Sequence, residues 1–179
     1  MLDDKQLKLF EDYRDKSYVM NVLLTKSYER FSMIKQLCNI PLILSSCVMA
    51  IINASQKDAN DIKSFNITIN SITVMLLSLI SNFKVQEKET LFQTLSNKFM
   101  KLTHKIEDDL TNNFDFLERE HLQEHIQNYD ILIEQITETI PRDIQNKVKK
   151  MYYNKKTLPA FLNCECSFVR KSEIGFYEA

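Results

Sequence analysis

Charged side chains punctuate this chain at short intervals, except in two places. Residues 36–56, between Lys35 and Lys57, form a run of 21 without a charge, and residues 64–83, between Lys63 and Lys84, form another of 20. No other charge-free run reaches ten. With 26% of residues charged, a given window of about 20 would be charge-free by chance only ~0.002 of the time, so two nearly in tandem point to an environment that excludes charge. As helices rising about 1.5 Å per residue, each run reaches ~30 Å, the apolar thickness of a bilayer. Their contents, "IPLILSSCVMAII" and "ITVMLLSLI", are apolar with interspersed Ser, Thr and Asn. The competing reading is a helical hairpin buried in a soluble bundle. A soluble core helix ordinarily keeps one charged face to water, which neither run has.

The segment between the runs, "SQKDANDIKS", is short and polar, so the two spans form an antiparallel hairpin. Lys26, Arg30 and Lys35 precede the first span, Lys84 and Lys88 follow the second, and the linker has only Lys57 and Lys63. The positive-inside rule then places both termini in the cytoplasm. Asn53-Ala-Ser55 and Asn66-Ile-Thr68 match the glycosylation sequon on the outer side, but both lie at or inside the span ends and are expected to stay unmodified.

Outside the spans the pattern is helical, and the fold expected is all-α. Residues 3–35 read as one helix running into the first span. Asp3 and Asp4 are its caps, and Leu7, Phe10, Tyr18, Leu23, Tyr28, Phe31 and Ile34 give it loose helical spacing. Pro41 falls early in the span, where a kink is tolerated. After the second span, Val85, Phe92, Leu95, Phe99, Leu102, Ile106 and Leu110 form an apolar seam with heptad character. That seam can pack inside the chain's own bundle or hold copies together. "LTNN" at 110–113 breaks the helix, and another is expected over Phe114–Ile140 with Leu117, Ile126, Tyr129, Ile133, Ile136 and Ile140 on one face. Pro141 ends it and starts a short helix, "PRDIQNKVKKMYY". The expected organisation is a cytoplasmic helix over 1–35, a transmembrane hairpin over 36–83 (spans 36–56 and 64–83), a cytoplasmic helical region over 84–153 and an irregular tail over 154–179.

Composition narrows the function classes. A single glycine, Gly175, and three prolines leave few turns for a β-rich fold and no phosphate-cradling loop or nucleophile elbow. A net charge of -1 gives no pull toward nucleic acid. The four cysteines (Cys38 and Cys47 in the first span, Cys164 and Cys166 as a lone C-x-C) form neither a zinc framework nor a disulfide pattern. The acidic, polar N-terminus has no apolar core of a signal peptide. "HLQEH", His121 to His125, matches H-x-x-E-H, but too little chain remains outside the spans to build a cleft around it. No enzyme activity, cofactor, metal or small-molecule substrate is expected. Lys147, Lys149, Lys150, Lys155 and Lys156 form a basic cluster that is either a solvated face or a contact to anionic headgroups. The polar residues of the spans are the remaining candidates: Asn39, Ser46 and Asn53 at seven-residue spacing, and Asn66, Asn70, Thr73 and Ser81 along one stripe of the second span. They serve either to line a wet path or to join helices through hydrogen bonds.

The order of parts resembles a known family. Aromatic and basic residues lead into the first span ("LLTKSYERFSMIKQL"), and two short spans share a small polar linker. The second runs into "ISNFKVQEKETLFQTLSNKFMKL", and a helix closes on "ETIPRDI". Over about residues 15 to 150 this layout is similar to the SLATT family of two-transmembrane effectors, found in bacteria and in large DNA viruses of eukaryotes. The resemblance implies a membrane effector in biological conflict that acts by forming pores, with no catalytic residues. Three functions are therefore weighed: an oligomeric membrane effector, a non-conducting tether or structural protein of a viral or organelle membrane, and a membrane-anchored enzyme. The last lacks any supporting constellation.

Overall fold

In the computed structural model, which describes residues 4–54, 59–112, 119–152, 158, 159 and 162, five α-helices follow one another and no strand occurs among the described residues. They are α1 (Asp4–Ala54), α2 (Ala59–Asn82), α3 (Val85–Asn112), α4 (Arg119–Glu134) and α5 (Arg142–Met151). The expected N-terminal helix and first span are thus one element, α1, of 51 residues. Pro41 lies inside it and removes the amide that would bond the Leu37 carbonyl. Asp3, Leu117 and the tail beyond Leu162 lie outside the described residues.

Two expected boundaries shift. Helix α2 begins at Ala59, five residues before the charge-free run, so the polar stretch 55–64 is mostly the first turns of a helix. Its Ala, Asp, Ile and Lys have no turn-forming Gly or Pro to stop helix propagation backwards. Helix α4 ends at Glu134 rather than near Ile140. The β-branched run Ile136-Thr137, Thr139-Ile140 has weak helix propensity, and Pro141 pushes the residue before it away from helical dihedrals. The segment instead closes with short turns: the Ile136 N–H donates to the Ile133 carbonyl at 3.1 Å, and the Thr137 N–H to the Gln135 carbonyl at 3.0 Å. Gln145 of α5 then donates to the Ile140 carbonyl at 2.8 Å, satisfying an acceptor this break would otherwise strand.

The chain forms two compact units, residues 1–23 with 95–179, and residues 24–94. The divisions fall inside α1 and α3, so the segments flanking the two charge-free runs group with the spans. In the first unit, Phe10, Val19, Met20 and Leu23 of α1 are buried, as are Leu95, Phe99, Leu102 and Ile106 of α3. Helix α4 contributes Leu122, His125, Tyr129 and Leu132, and α5 contributes Ile144 and Val148. Tyr129 meets Tyr13 and Phe99 edge to face, with centroids 5.4 and 5.8 Å apart. The α3 seam is therefore consumed inside the chain, Phe92 included.

The apolar face read for α4 holds at Tyr129 and Ile140, which are buried, but not at the residues between and before them. Leu122, His125, Tyr129 and Leu132 are buried, at steps of three, four and three, while Ile126, Ile133 and Ile136 flank them half-buried. Counting His125 as polar hid the true stripe.

Candidate membrane-facing hairpin

Unit 24–94 holds both charge-free runs. Helices α1 and α2 are each long and apolar enough to cross a membrane, and none of the most apolar 18-residue window of either is buried. Ile43 of α1 is 63% exposed and Met75 of α2 is 65% exposed. Soluble monomers rarely leave contiguous apolar patches beyond a few hundred Å² uncovered.

One face of each helix is partly shielded. On α1 it is Cys38, Leu42, Ser45, Met49 and Ile52; on α2 it is Asn66, Ile69, Thr73, Leu76 and Ile80. Both sets step four, three, four, three, one read forwards and the other backwards. Only residues 55–58 separate the helices, so they run antiparallel and the two sets mirror one another as a hairpin seam.

This seam sorts the polar residues singled out from the sequence. Asn66 and Thr73 belong to it, whereas Asn39, Ser46, Asn70 and Ser81 are exposed beside it. The Asn53 side chain lies outside the described residues. Four hydroxyls of the spans are satisfied on their own helix. Ser45 and Ser46 donate to the Leu42 carbonyl at 2.8 and 2.9 Å, Thr68 to the Ser64 carbonyl at 3.1 Å and Ser71 to the Ile67 carbonyl at 2.8 Å. A carboxamide has two donors and an acceptor, more than one backbone carbonyl of its own helix can satisfy. The Asn39 and Asn70 side chains make no hydrogen bond among the described residues.

The basic end of the hairpin is pinned between α1 and α3. Phe31 stacks on Phe92 with centroids 5.6 Å apart and planes at 26°. The Lys88 ammonium lies 6.0 Å from the Phe31 ring centroid. Lys35 Nζ meets Glu89 Oε2 at 2.6 Å, and Glu89 is only 9% exposed. Between α2 and α3 the chain turns at Phe83-Lys84. The Phe83 N–H donates to the Leu79 carbonyl and the Lys84 N–H to the Ser81 carbonyl, both at 3.0 Å. Lys84 takes φ 48°, the left-handed region, which lets the chain reverse with no glycine available. The sequence marks Lys35, Lys84 and Lys88 as basic flanks of the two runs, but not the partnership of Lys35 with Glu89, whose 54-residue separation leaves no local signal.

The HLQEH residues part company. His121 is exposed, while His125 is 1% exposed, edge to face with Phe10 at 5.6 Å. His125 Nε2 lies 2.7 Å from Asp109 Oδ2, and its buried Nδ1 has no partner among the described residues. Glu124 instead reaches Lys105 at 2.7 Å on the surface, and that hydrogen bond and charge hold its carboxyl below the ordinary range. On α5 the Ile144 and Val148 side chains are buried and Lys147 and Lys150 exposed; Lys155 and Lys156 lie outside the described residues. Compared with protein-family models, with curated proteins and with solved structures, the chain finds no match.

Proposed function

We propose that this chain is an integral membrane protein whose α1 and α2 cross the bilayer as a hairpin, both termini cytoplasmic, and that copies of it assemble into a pore-forming or membrane-perturbing effector. The observation carrying the reading is the wholly uncovered apolar window of each helix. The basic flanks at Lys26, Arg30 and Lys35 and at Lys84 and Lys88 support the orientation. Two helices enclose no lumen, so any conduction belongs to an oligomer. The spans carry no charge, so selectivity among ions is weak and opening follows assembly rather than voltage. The SLATT-like order of parts agrees with this role.

The second reading, a non-conducting tether, draws on the packed unit of residues 1–23 and 95–179, a folded body suited to docking. Alkaline carbonate extraction of membranes containing the protein tests the shared premise: retention is expected, and release into the soluble fraction refutes it. Planar-bilayer recording across the concentrations where purified protein oligomerises separates the two readings. Conductance supports the effector, and its absence leaves the tether.

A further inference from the structure

Each polar residue of the spans can be placed around its helix relative to the seam. At about 100° per residue, Asn39, Ser46 and Asn53 fall roughly 60–100° past the centre of the α1 seam in the sense of chain rotation. By the same count Asn70 and Ser81 fall about 80–100° past the centre of the α2 seam. Because the helices are antiparallel, an equal sense of rotation carries both sets to the same side. The hairpin thus has one flank bearing Asn39, Ser46 and Asn70, while the opposite flank, with Leu37, Val48, Ile72 and Leu79, is apolar but for Thr68, whose hydroxyl is given to the Ser64 carbonyl.

Depth distinguishes the asparagines. Asn39 is four residues beyond Lys35, where headgroups and water can serve its amide. Asn70 lies only about 5 Å from the middle of its span, counted at 1.5 Å per residue, where no solvent reaches. With Ser45 opposite Thr73 across the seam, Ser46 and Asn70 come within about 3 Å of one depth. The Ser46 proton is already given to the Leu42 carbonyl, so Asn70 is left with an amide to satisfy in hydrocarbon.

We infer that this flank is the contact surface for a second copy of the chain, centred on Asn70. Copies inserted with one topology hold identical residues at identical depth. A two-fold axis along the membrane normal therefore brings Asn70 to Asn70, where each carboxamide donates to and accepts from the other. A lipid tail offers neither group. The inference rests on the membrane reading above and names the partner and the surface for its assembly; the seam residues Asn66 and Thr73 stay within each hairpin.

The test uses the full chain with Cys38, Cys47, Cys164 and Cys166 changed to Ser, expressed in membranes and oxidised in place. Leu77→Cys lies on the polar flank with Asn70 intact, and Leu79→Cys lies on the apolar one. Leu77→Cys is expected to give disulfide-linked dimers, and Leu79→Cys few. Adding Asn70→Leu should lower the Leu77 cross-link by about threefold or more, and Asn70→Gln should restore it. Equal cross-linking at both positions, none at Leu77, no change with Asn70→Leu, or a cross-linked band whose mass is not twice that of the chain would each overturn the inference while leaving a carbonate-resistant protein as the membrane reading requires. Release by carbonate would overturn both.

Discussion

Lys84 holds a left-handed backbone that glycine adopts without strain and lysine does not, at a cost of about 1–2 kcal/mol. Lys84→Gly should therefore stabilise the α2–α3 corner by roughly 1 kcal/mol, less the extra freedom glycine gives the unfolded chain. It should also lose one topogenic charge, so the thermal midpoint in detergent and the membrane orientation are to be read together. Tyr129 gives a second prediction. Burial first, then the nearby Tyr13 and Asp130, push its phenol above the ordinary 10.0. Below pH 10 both folded and unfolded chains keep the proton and the full stability is present. Above it the unfolded chain ionises first, and stability falls by up to about 1.4 kcal/mol per pH unit until the folded phenol also titrates. Spectrophotometric titration against melting temperature should show this alkaline decline, and Tyr129→Phe should remove most of it.

Among the elements, the helices themselves were largely legible in the sequence. Charge-free runs and seven-residue spacing mark α1, α2 and α3 because these signals are local and long. The end of α4 was not, because it depends on how β-branched residues and Pro141 compete with helix propagation. Nor was its buried stripe, because His125 enters the core only through Asp109, a partner 16 residues away. The seven polar candidates were read as stripes, yet which side of each stripe meets the other helix became visible only from the seam. The clamp between α1 and α3 is similarly non-local, and it carries a prediction. Lys35→Ala leaves the Glu89 carboxylate poorly solvated and unpaired, which should cost about 1–3 kcal/mol and lower the melting temperature by several degrees. Replacing both partners by Met should recover most of that loss, because neither charge then remains to be desolvated. A double change as harmful as the single one would show that packing around Phe31 and Phe92, not the ion pair, holds this end.

For the whole molecule, orientation is the property to measure. Single cysteines in the cysteine-free background at Glu11, Asn60 and Glu107 should react differently with an impermeant maleimide in intact cells. Only position 60 is expected to label from outside; labelling at 11 or 107 instead would invert the topology. Glu11 and Glu107 are exposed, whereas Ser17, nearer the first span, is wholly buried and would stay silent on either side. The mirrored seam also bears on how the protein is made. Asn66 and Thr73 lie half-buried on the seam face of α2, and Ser45 and Cys38 on that of α1. Neither span is therefore fully suited to lipid while it is alone. During translation the first span emerges some thirty residues before its mate (about two seconds to a few seconds of synthesis). Insertion should then favour entry of the two as a pair, and a chain stopped before α2 should be held poorly by the bilayer and cleared.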